Sequence, residues 1–229
     1  MSKGNRPATE GGAPVRSAFL VFGAPQIGPA EIEEVAATLR SGWLGTGPRV
    51  ARFEEAFRAY AEAAHAVALN SCTAGLHLAL IVLGIGEGDE VITTPMTFAA
   101  TANVILHCGA RPVFVDVDPD TLCLDPEEVE NAITPRTKAI LPVHFAGRPC
   151  EMDEILDIAS RHGLRVIEDA AHAIEAGYHG RKIGSLGDVT AFSFYVTKNL
   201  TTGEGGMVTT GNAEWAEKIR LLSLHGLSR

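Results

Sequence analysis

Residues 193–206 read SFYVTKNLTTGEGG, and this stretch constrains the fold more than any other part of the sequence. It places Lys198 between an apolar run that ends near Tyr195 and a glycine-rich turn that ends at Gly206. An apolar, β-rich run followed by glycines predicts a strand and then a tight loop. Because residues 207–210 predict another strand, Lys198 is expected to lie in a loop between two neighbouring strands.

Upstream of this loop, short β-rich runs alternate with amphipathic helical patterns, which is typical of βαβ units. Continuous apolar strands are typical of a sheet whose two faces are both covered by helices. The sequence therefore predicts an α/β fold, a three-layer α/β/α sandwich with a mostly parallel mixed sheet. Strands are predicted at residues 66–70, 90–94, 112–117, 138–143, 165–168, 190–195 and 207–210, and helices at residues 73–83, 98–107, 126–132, 152–161 and 213–222.

The N-terminal part of the chain is organised differently. Residues 1–16 are rich in glycine, proline and polar residues and are predicted to be a flexible tail. Residues 17–229 are predicted to form one domain, with two early helices at 29–40 and 50–63. No apolar run has the length of a membrane span or the pattern of a signal peptide, so we expect no membrane partner.

Charge and cysteine content exclude several classes of partner. The formal net charge of -9, with no run of Lys or Arg, argues against a surface for nucleic acid or anionic membranes. The four cysteines are scattered and form no spacing suited to a metal, so no metal site is expected. We interpret this cysteine pattern as that of a reduced, cytoplasmic protein.

Lys198 and Asp169 are the first candidate catalytic residues. A lysine held by rigid, partly apolar flanks has a lowered pKa and can form a Schiff base with a carbonyl group. Asp169 ends an apolar strand, where an ionised carboxylate needs a cation such as a protonated pyridine nitrogen. Together they indicate pyridoxal 5'-phosphate as cofactor, although a surface lysine and a helix-capping aspartate remain alternatives.

Other candidates lie at strand ends. His172 follows Asp169 closely enough to donate a hydrogen bond to the phenolic oxygen of such a cofactor. Phe98 could stack on the cofactor ring or could belong to the core. The small residues around Cys72 and Thr73, where a strand turns into a helix, could bind phosphate or could be an ordinary helix start. His144 and His225 are interpreted as structural, and Glu204 stays ambiguous between a loop carboxylate and a substrate contact.

In their order and spacing, these residues resemble the pyridoxal-phosphate-dependent nucleotide-sugar aminotransferases of the DegT/StrS type. The resemblance covers the chain from about Gly42 to its end and implies the large domain of the aspartate aminotransferase-like fold (fold type I). Its landmarks are residues 42–48 (GWLGTGP), 70–77 (NSCTAGLH), 168–172 (EDAAH), 193–199 (SFYVTKN) and 203–206 (GEGG).

The resemblance implies a role for each matching residue. Lys198 would carry the cofactor through the Schiff base, Asp169 would pair with the pyridine nitrogen, and His172 would lie near the phenolic oxygen. Phe98 would stack on the ring. The phosphate would be held by Cys72, Thr73 and Ser193, and the cleft for the sugar substrate would be bordered by Trp43, Leu44, Gly45 and Thr46.

The resemblance also implies an activity. The protein would transfer an amino group from glutamate to a nucleotide-linked keto-deoxysugar during amino-sugar biosynthesis. It would do so as a homodimer whose active sites are shared between subunits. Some relatives carry histidine in place of the lysine and dehydrate sugars, so Lys198 favours transamination. A dehydratase or lyase remains an alternative, because the cofactor permits several outcomes. An inactive cofactor-binding fragment also remains, because relatives continue beyond Arg229 into a small C-terminal domain that is expected to be missing here.

Overall fold

The computed structural model describes residues 6–227, in which strands and helices alternate along the chain. The strands are β1 (His65–Leu69), β2 (Glu90–Thr93), β3 (Arg111–Phe114), β4 (Thr137–Ile140), β5 (Arg165–Asp169), β6 (Gly177–Tyr178), β7 (Arg181–Lys182), β8 (Val189–Ser193) and β9 (Gly206–Thr210). The α-helices are α1 (Pro29–Ser41), α2 (Pro48–Tyr60), α3 (Cys72–Val82), α4 (Ala100–His107), α5 (Pro126–Asn131), α6 (Met152–His162) and α7 (Ala213–Ser223).

Seven strands form one mixed sheet in the order β1-β9-β8-β5-β4-β2-β3, and β6 and β7 form a separate hairpin. The pairs from β8 through β5, β4 and β2 to β3 are parallel, whereas β9 is antiparallel to both β1 and β8. The two strands that flank the Lys198 loop are therefore neighbours, paired from Val189 with Thr210 to Ser193 with Gly206. This confirms the predicted α/β fold and mostly parallel mixed sheet.

Helices cover both faces of the sheet because successive strand residues point to opposite sides. In β5, Ile167 packs with the core formed by α3, α4 and α7, whereas Val166 packs with the core formed by α5 and α6. Further along the sheet, the second face is covered by α2, whose Phe57 lies against Phe192 of β8. The result is the expected three-layer sandwich.

The N-terminal segment is attached less closely. All residues of α1 are at least partly exposed, and a salt bridge from Arg49 to Glu34 connects this helix to α2. Of the predicted flexible tail, residues 1–5 lie outside the described residues, and Ala8–Glu10 forms one turn of 3-10 helix. The boundary at residue 16 stays a prediction.

Strands β2, β4, β5 and β8 run in the same direction, so their carboxyl ends lie along one edge of the sheet. In open α/β sheets, ligands bind outside the carboxyl ends of the strands. The segments that leave these ends contain Phe98, His144, His172 and Lys198, which places the functional candidates on this edge.

The aromatic cluster beneath the Lys198 loop is expected to contribute strongly to stability. Phe57 is 4% exposed, and its ring centroid lies 5.0 Å from that of Phe192 and 5.6 Å from that of Phe194. We expect Phe57→Ala to lower the free energy of unfolding by about 3–5 kcal/mol, because it leaves a cavity in a close-packed core. Urea denaturation followed by circular dichroism measures this. The matched control is Phe114→Ala at a ring that is 50% exposed, where a comparable loss would contradict the cavity argument.

Candidate active site

A cavity of about 940 Å³ opens at the carboxyl ends of β2, β4, β5 and β8. Its volume lies near the upper end of the range of about 300–1,000 Å³ that is usual for ligand pockets. The structure brings together in this cavity all the candidates for catalysis and cofactor binding, namely Cys72, Thr73, Phe98, Asp169, His172, Ser193 and Lys198.

Asp169 is held rigidly at the end of β5 and is 5% exposed. Its backbone N–H donates to the carbonyl of Pro142 (2.9 Å), and its carbonyl accepts from the N–H of His144 (3.0 Å). In the side chain, Oδ2 accepts from the Thr101 hydroxyl (2.8 Å), and Oδ1 accepts from the N–H of Ala171 (3.1 Å). A carboxylate fixed by such donors keeps its orientation at the wall of the cavity.

The neighbouring carboxylate, Glu168, faces the other way and is fully buried. It accepts hydrogen bonds from Thr190 Oγ1 (2.6 Å) and the Gly187 N–H (2.8 Å), and its Oε2 lies 2.9 Å from His144 Nε2. Burial by itself raises the pKa of Glu168, but the hydrogen bonds and the nearby His144 ring outweigh it and lower the pKa. Glu168 is therefore an ionised carboxylate whose hydrogen-bonding capacity is used inside the fold.

His144 is a structural histidine, as the sequence indicated, although its residue also lines the cavity. Nδ1 accepts the backbone N–H of Cys150 (3.1 Å), so in the neutral ring the proton resides on Nε2 and is donated to Glu168. The ring is fully buried and both nitrogens are satisfied. His144 thus fixes the loop after β4 against the end of β5.

Lys198 lies on a loop that is closed by backbone hydrogen bonds. Its N–H donates to the carbonyl of Tyr195 (2.9 Å), and the N–H of Phe194 donates to the carbonyl of Gly205 (2.9 Å). The side chain is partly buried, and this burial lowers the pKa of Lys198, although electrostatic interactions with Cys72 and Asp169 act in the opposite direction. A larger share of its amine is therefore neutral and nucleophilic near pH 7–8 than for an ordinary lysine.

His172 is exposed at the cavity wall. Its partial desolvation lowers its pKa, and the positive charge of Lys198 lowers it further, whereas Asp169 acts to raise it. Neutral imidazole is favoured near pH 7, in which one ring nitrogen donates and the other accepts a hydrogen bond.

The start of α3 forms the opposite side of the cavity. The Ser71 side chain is the N-cap and accepts the Ala74 N–H (3.1 Å), while the N–H groups of Cys72 and Thr73 are among the first of the helix and have no intrahelical acceptor. A Cβ at Gly206 would lie 2.3 Å from the Ser71 carbonyl carbon, so only glycine lets β9 pass so close to this helix start. The close approach brings Ser193, which pairs with Gly206, beside the helix N-terminus.

Phe98 is 82% exposed and lines the cavity. The alternative that its ring belongs to the core is therefore excluded. Trp43, Leu44, Gly45 and Thr46, the residues expected to border the sugar cleft, do not line this cavity within the described residues. Trp43 Nε1 donates to the Thr46 carbonyl (3.1 Å), which orders this exposed turn, and its substrate role stays a prediction.

Sequence reasoning missed Thr97 and Thr101. Thr101 is fully buried and donates to Asp169, and its Oγ1 lies 2.7 Å from Thr97 Oγ1. The available signal was two threonines just after a strand end, but Thr97 precedes α4 and Thr101 lies in its first turn, so their contact follows from the turn between β2 and α4 and not from helix spacing. Among residues 6–227, no helix is long and apolar enough to cross a membrane, and no group of three or more His, Cys, Asp or Glu side chains is arranged to hold a metal ion.

The lowered pKa of Lys198 makes its reactivity testable. Because the folded chain favours its neutral amine, acylation of Lys198 should reach half its maximal rate at a lower pH in the folded chain than in the chain unfolded by urea. Mass spectrometry of the peptide that contains Lys198 measures both rates, and the unfolded chain is the matched reference. Identical pH profiles would contradict the desolvation of this amine.

Comparison with known proteins shows that the chain has curated relatives of similar sequence. A curated protein of Methanocaldococcus jannaschii is 62% identical over 94% of this chain and 56% of its own length. The spore coat polysaccharide biosynthesis protein SpsC of Bacillus subtilis is 61% identical over 93% of this chain and 55% of its own length. The chain thus spans about half the length of the curated relatives it matches.

Solved structures also resemble this chain over most of its length. The PLP-form of Spr1654 of Streptococcus pneumoniae, a proposed sugar aminotransferase, superposes with a TM-score of 0.88 at 40% identity, over 91% of this chain and 59% of that one. DesI, solved in the presence of its TDP-sugar product, superposes with a TM-score of 0.89 at 44% identity, over 96% of this chain and 57% of that one. The model of the DegT/DnrJ/EryC1/StrS aminotransferase family matches residues 25–229, and the chain belongs to this family.

Proposed function

We propose that this chain forms the cofactor-binding part of an aminotransferase that moves an amino group from glutamate to a nucleotide-linked keto-deoxysugar. One observation carries the proposal: a partly buried amine, Lys198, and a buried carboxylate, Asp169, line the same cavity at the carboxyl edge of the sheet. Amines with a lowered pKa cluster at functional sites, because burial in an enzyme cleft disfavours their charged form. Family membership supports the same chemistry.

The donor set of the cavity fits pyridoxal 5'-phosphate. The helix N-terminus at Cys72 and Thr73, with the Ser193 hydroxyl beside it, suits the phosphate group. The Asp169 carboxylate suits a protonated ring nitrogen, and the Lys198 amine suits covalent attachment to the aldehyde. Phe98 offers an exposed ring for stacking, and His172 can donate to the phenolic oxygen.

When bound, pyridoxal phosphate supplies an electron sink for the bond that breaks next to the transferred nitrogen. Asp169 stabilises the cationic form of the ring nitrogen, because its carboxylate is already oriented by Thr101 and Ala171. Lys198, once its amine is free and neutral, would accept the substrate α-proton and donate it to the cofactor carbon that carries the transferred nitrogen. His172 and Phe98, which line the same cavity as Lys198, would hold the ring next to this amine.

The substrate class is proposed from relatives. DesI was solved with a TDP-sugar product, and SpsC is a protein of polysaccharide biosynthesis, so a nucleotide sugar is the favoured amino acceptor. We assign Trp43, Leu44, Gly45 and Thr46 to the border of the sugar cleft. Lys198 argues against the dehydratase alternative, since the relatives that dehydrate carry histidine at this position.

We also propose that the protein is a homodimer in the cytoplasm. The support for self-association is a set of exposed apolar side chains on α1, Ile32, Val35 and Leu39, each 61% exposed. Contiguous apolar surface of this kind is usual at protein interfaces. The support for the compartment is that the cysteines of the described residues are free thiols, as in a reducing environment.

Replacing Lys198 tests the proposed function. We expect the protein mixed with pyridoxal phosphate to show a visible absorption band that glutamate converts, and to aminate a keto nucleotide sugar in turnover assays. Lys198→Ala should remove the band and reduce turnover by at least about 10³-fold, because no other lysine among the described residues lines the cavity to take the covalent and proton-transfer roles. The control is Lys138→Ala, at an exposed strand residue outside the cavity. If Lys198→Ala retains both the band and turnover, the role assigned to Lys198 is wrong. A band without turnover in the unsubstituted protein would favour the alternative of an inactive cofactor-binding fragment.

Self-association is tested on α1. Val35→Glu should shift the protein from dimer to monomer in sedimentation experiments, since a charge in an apolar interface must be desolvated without a partner. Lys138→Glu, which adds negative charge elsewhere, should leave the dimer intact. A monomeric unsubstituted protein, or a dimer that survives Val35→Glu, would contradict this interface.

A further inference from the structure

We propose that Thr101 is a positioning residue that orients Asp169 for the cofactor ring, at the end of a directed hydrogen-bond chain that runs from Thr97 through Thr101 to Asp169. The inference rests on the proposed function, in which Asp169 pairs with the ring nitrogen. Its basis is two short contacts, 2.7 Å between the two threonine hydroxyls and 2.8 Å from Thr101 Oγ1 to Asp169 Oδ2.

Each hydroxyl has a single proton to donate, and this sets the direction of the hydrogen bonds from Thr97 to Asp169. An ionised carboxylate can only accept, so the single hydroxyl proton of Thr101 is donated to Asp169. The oxygen of Thr101 is then left as an acceptor, and Thr97 must donate its proton to it. Each of the two hydroxyls therefore donates one defined hydrogen bond, and the Thr101 hydroxyl fixes the orientation of Asp169 Oδ2.

Thr101 is suited to this role because it is immobile. It is fully buried in the first turn of α4, and its backbone N–H donates to the carbonyl of Phe98 (3.1 Å). One residue therefore connects the carboxylate proposed for the ring nitrogen with the backbone of the residue proposed to stack on the ring. The carboxylate is held on two sides, by Thr101 at Oδ2 and by the Ala171 N–H and the Cys72 thiol (4.0 Å) at Oδ1, and it lines the cavity.

Removing the hydroxyl should weaken binding of a ring that carries the pyridine nitrogen. Hydrogen bonds to charged groups contribute enough that losing one weakens binding by about tenfold or more. Thr101→Val keeps the shape of the side chain but not the donor, and Thr101→Ser restores the donor. A role confined to core packing would instead respond to shape and would not depend on the ring nitrogen.

The experiment measures dissociation constants for two probes by fluorescence titration. Pyridoxamine phosphate binds without a covalent bond to Lys198, and its 1-deaza analogue has carbon in place of the ring nitrogen. We expect Thr101→Val to raise the dissociation constant of pyridoxamine phosphate by about tenfold or more and to change that of the deaza analogue by no more than about twofold. Thr101→Ser should restore the binding of pyridoxamine phosphate. The control is Thr93→Val, which removes an equally buried hydroxyl that donates to the Leu141 carbonyl (2.8 Å) outside the cavity and should change neither constant.

Two results would overturn the inference while leaving the proposed function intact. The first is that Thr101→Val binds pyridoxamine phosphate as tightly as the unsubstituted protein, and the second is that it binds both probes more weakly by the same factor. Either result would show that Thr101 does not act through the ring nitrogen. If Thr101→Val does not fold, Thr97→Val tests the same chain and should give a smaller, nitrogen-dependent weakening, whose absence also overturns it. Failure of the unsubstituted protein to bind pyridoxamine phosphate would overturn the proposed function itself.

Discussion

The burial of two consecutive carboxylates at the end of the central strand β5 is the constraint on which the rest of the site depends. Residues next to each other in a strand point to opposite faces, so Glu168 and Asp169 enter different environments. Glu168 is fully buried and is satisfied by His144, Thr190 and Gly187. Asp169 is held by Thr101 and Ala171 but lines the cavity. An isolated buried charge is costly, so Asp169 favours a cationic ligand opposite it.

The neighbouring elements are arranged around this carboxylate by backbone contacts. Residues 142–144 pair with Asp169 through two backbone hydrogen bonds, which places the loop after β4 along the cavity wall. On the other side of β5, parallel pairing with β8 brings Ser193 and the Lys198 loop to the same edge. Gly206 permits β9 to pass the start of α3, so a helix N-terminus faces the same cavity. Amine, carboxylate and anion-binding end thus come from elements that are distant in sequence.

Much of this fold could be predicted from the sequence because its local signals agree. The alternation of β-rich runs and helical periods placed the main strands and helices within a few residues, and Pro48 explains why α2 begins earlier than residue 50, since proline is favoured in the first turn. Strand β4 ends at Ile140, and Val143 instead forms a single bridge to Asp169. The hairpin of β6 and β7 has two residues a strand, too few for a periodic pattern.

The site was predicted unevenly for a physical reason. Lys198, Asp169 and His172 lie in strand and turn patterns that indicate their position, and the structure places them around one cavity. The partners that hold Asp169 could not be read in the same way, because Thr101 becomes its donor only when α4 packs against β5. Likewise, the pairing of His144 with Glu168 depends on the adjacency of β4 and β5. Residue type and spacing predict candidates, whereas hydrogen-bond partners follow from packing.

The proposed site requires that one cofactor ring lie between Lys198 and Asp169. A crystal structure of the protein grown with pyridoxal phosphate tests this most directly. We expect electron density continuous from Lys198 Nζ to the ring, with the ring nitrogen within hydrogen-bonding distance of Asp169 and the phosphate at the start of α3. Density for the cofactor elsewhere, or a ring whose nitrogen faces away from Asp169, would contradict it.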